Sequence, residues 1–196
     1  HQWHMDFVVG LPNHEGKNAF LTICDVYSNF RLAFPESTKT TGKRVARIIE
    51  DNIITVFGAP THLASDQGSN LLKNKSVNAL LGRYGITRIL HTANTSKTNG
   101  FIEIHNRHIQ DLVRILADQY KLPWTRVLKL ATMQLNMRPT KFFGNLSPHQ
   151  ITFGDKLKTV PWPIREETIY RTHIETMRLK EDMETRIQHY AESIDQ

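Results

Sequence analysis

Apolar and polar positions alternate from Trp3 to Val9. Trp3, Met5, Phe7 and Val9 face one way, and His4, Asp6 and Val8 the other. A period of two predicts a strand, here with a carboxylate set among apolar neighbours. Asn13-His14-Glu15-Gly16-Lys17 reads as a hairpin turn, followed by strands over Ala19–Val26 and Phe30–Phe34. Three antiparallel strands at the start argue against a purely parallel sheet. The period then changes. Within Thr40–Phe57, Val45, Ile48, Ile49, Ile53 and Val56 recur at helical spacing, and Gly58 and Pro60 end the run. A short strand, His62–Ser65, delivers Asp66. A helix over Ser69–Tyr84 comes next, with Leu71, Leu72, Val77, Leu80 and Leu81 as its stripe, and then a fifth strand over Ile86–Leu90.

Thr92–Gly100 is small and polar throughout and reads as a loop with little to pack. Helices are predicted over Phe101–Tyr120, from Pro123 to Met137, and from Ser147-Pro148 to Phe153. After Pro161-Trp162-Pro163 the texture shifts. Arg165–Ser193 carries charges of both signs without Gly or Pro, and Ile169, Ile174, Met177, Met183, Ile187, Tyr190 and Ile194 form a narrow apolar stripe. Such a stripe suits a coiled coil or an interdomain linker. The expected organisation is a mixed α/β core over residues 1–160 and a long helical segment over 161–196.

Bulk properties narrow the function classes. The 196 residues carry a net charge of +6 and a pI near 9.5, which favours an anionic partner. No run of about 18 apolar residues is present, so no membrane span is expected, and the first residues lack a signal-peptide pattern. Cys24 is the single cysteine. It can form no internal disulfide, which suits a reducing compartment, and it excludes a cysteine-based zinc finger in this chain. His1 and His4 therefore read as strand lead-in.

Three acids stand out by context: Asp6 in HMDFVVGLP, Asp66 in LASDQGSNL and Glu103 in TNGFIEIHNR. Gathered together they would repel one another unless divalent cations lay between them, and hard oxygen ligands of this kind suit a phosphoryl-transfer site holding two Mg²⁺ ions. Each also fits a plainer role. Asp66 suits an ordinary Asp-x-Gly turn, Glu103 a first-turn acid favoured by the helix dipole, and Asp25 and Glu36 read as turn or surface acids. At 100° per residue, Glu103, Arg107, Gln110 and Arg114 share one narrow helix face, with Ile102, Ile109, Val113 and Leu116 on the core flank.

In these motifs the chain resembles the catalytic core of retroviral and LTR-retrotransposon integrases, most closely the gypsy-type group of this DDE superfamily. The resemblance covers roughly residues 1 to 155. It rests on Trp3, Met5-Asp6-Phe7, Asp25 with Ser28, Phe57-Gly58-Ala59-Pro60, and Ser65-Asp66-Gln67-Gly68-Ser69-Asn70. It continues through Asn99-Gly100, Glu103, Asn106-Arg107, Asn136 with Pro139, and Leu146-Ser147-Pro148. The Asp66–Glu103 interval is one residue longer than the usual retroviral spacing.

The resemblance implies a ribonuclease-H-like, five-stranded mixed sheet flanked by helices, with a long C-terminal helix. It implies Asp6, Asp66 and Glu103 as catalytic metal ligands for two Mg²⁺ or Mn²⁺ ions, and DNA 3′-end processing with strand transfer as the activity. Element-end DNA contacts are expected from Asn106, Arg107, Gln110 and Arg114, with Lys97 on the polar loop, and a target-DNA contact from Ser69. Partners are then double-stranded element-end DNA, target DNA and further copies of the chain, with no membrane and no small-molecule substrate. The location is the nucleus, within a pre-integration complex. Family members carry a zinc domain before this core and a β domain or chromodomain after it. Neither pattern is visible, so the chain reads as the core alone. Two other readings stand beside this one: a host-adopted integrase relic serving as a DNA-binding or regulatory protein, and a plain ribonuclease-H-type nuclease. The Asn99-Gly100 and Ser147-Pro148 segments match integrases rather than the latter.

Overall fold

The computed structural model describes residues 2–66, 74–91 and 96–154. The chain divides into two compact units, His1–Thr152 and Phe153–Gln196, and the sheet and the helices packed on it belong to the first. The expected boundary near residue 160 and the long C-terminal helix lie outside the described residues, as do Ser69, Leu71 and Leu72.

Five strands, β1 (Gln2–His14), β2 (Lys17–Asp25), β3 (Arg31–Glu36), β4 (His62–Asp66) and β5 (Thr87–His91), form one mixed sheet. Its order is β3-β2-β1-β4-β5. β1 and β2 pair antiparallel, as do β2 and β3, whereas β4 runs parallel to both β1 and β5. The β1–β2 hairpin closes through Glu15 and Gly16, at φ 50° and 75°, with His14 opposite Lys17. Two central residues at positive φ are what a two-residue hairpin of the right twist requires.

Both faces of β1 are covered. Trp3 and Met5 on one face, and His4 and Val8 on the other, are all buried. The first face meets α1 (Gly42–Ile49), α2 (Thr55–Phe57) and α3 (Lys75–Arg83). There Trp3 stacks on Phe57 at 5.1 Å, and Met5 shares a small interior space with Val77 and Leu81. The second face meets α4 (Ser96–Tyr120) and α5 (Trp124–Met137). Val8, Phe20 and Ala33 pack there with Ile109, Val113 and Leu116 of α4 and Trp124, Val127, Leu128 and Ala131 of α5. The core flank read from α4's periodicity is thus the flank that is buried. A last helix, α6 (Pro148–Phe153), comes after a short 3₁₀ turn, Lys141–Phe143.

Three expectations change. The helix from residue 40 is interrupted by a π-helical stretch, Glu50–Ile54. Its wider turn shifts the phase of the residues after it. Val56 therefore points outward at 59% exposure, and Phe57 takes the inward position against Trp3 and Phe30. The expected polar loop to Gly100 is shorter, because α4 already begins at Ser96. Asp25 and Glu36 are buried rather than surface acids. Asp25 clamps the β2–β3 turn, its Oδ2 accepting from the Ser28 N–H at 2.9 Å and the Ser28 hydroxyl at 2.6 Å. Glu36 holds Arg44 at 3.0 Å and accepts from the Thr40 hydroxyl at 2.8 Å.

β3 is an edge strand, and an edge leaves backbone groups unpaired. Asn136 of α5 caps it. Its Oδ1 accepts the Arg31 N–H at 2.9 Å and its Nδ2 donates to the Arg31 carbonyl at 2.7 Å, so a buried carboxamide takes the place of the next strand. Removing it strands two backbone groups away from water. Asn136→Ala is expected to cost about 2–4 kcal/mol, read from urea denaturation midpoints at constant slope. A loss under about 0.5 kcal/mol would show that water replaces the side chain.

Candidate active site

Asp6 lies in the middle of β1 and Asp66 ends β4. The parallel pairing of these strands runs from Gln2↔His62 to Met5↔Ser65. Asp6 and Asp66 are therefore the next residues on two adjacent strands, at the edge where β4 stops, with the strands about 4.8 Å apart. Asp66 is also paired with His91 on β5. The side chains of Asp66 and Lys97 are outside the described set.

Asp6 is half-buried and its carboxylate is held from two sides. Oδ1 accepts the Phe7 N–H at 2.7 Å, and Oδ2 accepts Nδ2 of Asn106 at 2.6 Å. The Asn106 amide is aimed in turn by Thr22, whose hydroxyl donates to Asn106 Oδ1 at 2.7 Å. Thr22 lies directly across from Asp6 on β2. A hydroxyl donating to one end of the amide leaves the NH₂ end for the carboxylate.

Asn106, expected among the DNA contacts, bonds within the fold. It is buried, its carboxamide faces the sheet, and it joins α4 to β1. Thr22 escaped the sequence reading altogether, because a threonine in a strand interior carries no signal without its partner 84 positions away.

A second anchor lies before Glu103. Phe101 packs edge-on against His4 of β1, with centroids 5.5 Å apart, and its other neighbour is His105, at 4.3 Å. Phe101 and Asn106 therefore fasten α4 to β1 on either side of Glu103, which is exposed. Arg107 and Arg114 are exposed and Gln110 is half-buried, as expected for one outward face. Arg107 has no ion pair among the described residues. Arg114 lies 3.9 Å from Asp111 with both side chains mostly in solvent, a contact of little energetic weight.

The layer beneath α4 is polar but carries few charges. Burial, with Arg31 nearby, pushes the His105 imidazole down from 6.5 to about 4, and burial lowers His108 as well. His105 Nδ1 sits 2.7 Å from the Phe101 carbonyl, so that nitrogen carries the proton. Burial pushes the Cys24 thiol up to about 12, which removes it as a nucleophile. Among the described residues, no three His, Cys, Asp or Glu side chains form a metal cluster; Asp66 is not among the side chains described.

Residues 1–96 match the family model for the integrase core domain. The Gag-Pol polyprotein of Woolly monkey sarcoma virus is 30% identical over 153 residues, which is 78% of this chain and 9% of the polyprotein. That of Walleye dermal sarcoma virus is 31% identical over 140 residues, 71% of this chain and 8% of the polyprotein. The chain spans about a tenth of the length of these relatives. Among solved structures, the HTLV-2 integrase catalytic core in complex with magnesium, in a trimeric form, superposes with a TM-score of 0.62. It is 18% identical, over 78% of this chain and 95% of that one. The simian T-cell lymphotropic virus intasome in complex with a PP2A regulatory subunit gives a TM-score of 0.66 at 17% identity, covering 84% of this chain and 59% of that one. These likenesses establish the ribonuclease-H-like fold.

The Thr22–Asn106–Asp6 chain makes a stability prediction of its own. Thr22→Val keeps the shape, removes the hydroxyl and leaves the Asn106 carbonyl oxygen without its donor. It is expected to cost about 1–3 kcal/mol, whereas Thr22→Ser should recover most of that. Thermal denaturation of the three proteins checks it; equal melting temperatures for the valine and wild-type chains would show that the hydroxyl aims nothing.

Proposed function

The chain carries an integrase core domain, and on that premise we propose that it is a divalent-metal-dependent polynucleotidyl transferase that trims element DNA 3′ ends and joins them to target DNA. The observation that carries the reading is the register of β1 and β4. It makes Asp6 and Asp66 neighbours on two interior strands, where β4 ends, with Glu103 on a helix fastened to β1 on both sides of it.

The donor set fits the metal chemistry. Carboxylates are the hard oxygen ligands that Mg²⁺ and Mn²⁺ prefer. Oδ1 of Asp6 accepts from the Phe7 N–H and Oδ2 from Asn106, and a carboxylate offers about four lone-pair sites. In this reading Asp6 and Asp66 hold the first ion and Glu103 completes the second site. Divalent ions held there would supply charge stabilisation at a scissile phosphate and activation of an attacking oxygen.

The residues themselves orient and neutralise. Asn106 and Thr22 fix the Asp6 carboxylate, so the ligand is set before substrate arrives. Arg107 and Arg114, with Gln110 between them, present cations and a donor to the phosphates of an element end. Lys97 is read as a further phosphate contact and Ser69 as a contact to target DNA. In trimming, a water oxygen bonds to phosphorus and the 3′-oxygen leaves, freeing a 3′-hydroxyl. In joining, that hydroxyl bonds to a target phosphorus and displaces a target 3′-oxygen. The reading places the protein in the nucleus, as a multimer.

Glu103→Gln, isosteric but uncharged, is expected to lower both trimming and joining of oligonucleotide ends roughly 100-fold or more, or about 2.7 kcal/mol, with DNA binding nearly intact. Joining within tenfold of wild type would remove Glu103 from the ligand set. Calorimetry with Mn²⁺ should show weakened binding in an Asp6→Asn, Asp66→Asn double variant. Unchanged binding there would sink the metal assignment.

Arg107→Glu is expected to weaken element-end binding by reversing a charge on an exposed face while leaving the melting temperature within a few degrees. A collapse in melting temperature at constant affinity per folded molecule would make Arg107 structural.

A further inference from the structure

α1 carries three cations, Lys43 and Arg44 in its first turn and Arg47 in its last, and no acid in its first turn. Cations near a helix N-terminus oppose the helix dipole, so Lys43 and Arg44 are not placed there to stabilise the helix. Only Arg44 is neutralised, by Glu36 at 3.0 Å. Lys43 and Arg47 are exposed, lie one helical turn apart and have no ion pair among the described residues. With Thr41 and Arg44 they line an open depression of about 240 Å³.

Topology starts α1 from the same end of the sheet as the candidate active site. β3 runs parallel to β1, since each is antiparallel to β2, and Ala33 is in line with Thr22 and Asp6. β3 ends three residues later at Glu36, about 10 Å further along the sheet. α1 then starts at that same edge. Its first residue, Gly42, lies so close to Asn74 that a Cβ there would overlap the Asn74 side chain. Asn74 caps α3 and accepts the Ser76 N–H at 2.9 Å. The helix start of α1 is thus locked against that of α3, which comes after Asp66 in the chain, and Lys75 adds another exposed cation beside it. α4, with Arg107 and Arg114, packs on the opposite face of the sheet.

We propose that the exposed face of α1 that carries Lys43 and Arg47 binds the phosphate backbone of a DNA duplex, and that this duplex is the target that receives the joined end. The assignment to target rests on the integrase reading. Element-end and target DNA then approach from opposite faces of the sheet and meet at the edge where Asp6 and Asp66 lie. Backbone contact by lysine and arginine positions a duplex without reading its sequence.

The test uses the full chain and a duplex of arbitrary sequence, with binding followed by fluorescence anisotropy across a salt series. K43Q/R47Q is expected to reduce the slope of log affinity against log salt by about 1.8, two lost phosphate contacts. R126Q/K129Q, which removes the same charge from exposed positions on α5, should leave the slope unchanged. An unchanged slope in K43Q/R47Q, or an equal drop in both pairs, overturns the inference. K43A/R47A repeats the test if the glutamine pair melts early. In the joining assay, K43Q/R47Q should lower joining at least tenfold and leave end trimming within twofold; equal loss of both overturns the assignment to target. A wild-type chain that binds duplex through α1 yet neither trims nor joins would leave the binding surface standing while the proposed activity falls.

Discussion

The hydrogen bond from Asn106 to Asp6 is the contact on which the arrangement at this edge depends. A carboxylate within an apolar strand is expensive to bury without donors; beside the Phe7 N–H, the helix that carries Glu103 supplies one through Asn106. Satisfying Asp6 therefore also sets the height and rotation of α4 on the sheet. With the Phe101–His4 contact, it leaves Glu103 little freedom to slide along β1. Thr22 completes the device by fixing which end of the amide faces the acid. A three-residue network of this kind is worth most where water is excluded, and both Thr22 and Asn106 are buried.

Charge is handled differently on the two sides of that contact. Beneath α4 burial pushes the His105 imidazole down to about 4, with Arg31 as the neighbouring cation. Outside, the cations of α4 and α1 face solvent and are scarcely paired. A basic surface over a largely neutral interior keeps the long-range field directed outward, where a polyanion approaches. Glu36 is the exception that explains itself: it is buried because it ties Arg44 and the loop before α1 to the end of β3, and so anchors the start of the basic helix.

Much of the architecture was legible in the residues. Periods of two and about 3.6 located the strands, the Glu15-Gly16 turn and the buried flank of α4, because a side chain's direction along a regular element depends on its position alone. The misreadings have local causes. Val56 fell out of phase because a π-turn adds to the helical pitch, and no residue pattern announces one. Ser96–Gly100 read as loop because its small polar residues offer no stripe, yet a helix already nucleated by Phe101 and its neighbours extends through them at little cost.

By itself, the sequence determined the fold class, the three acids in their contexts and the family resemblance, since these depend on neighbours within a few residues. Tertiary structure alone decided that Asn106 bonds Asp6, that Asn136 finishes the edge of β3, and that Glu36 is interior. Each of the first two is a directional bond between residues about 100 positions apart. Such a bond leaves no periodic trace, because it is specified by where two elements are packed and not by the order of residues within either one.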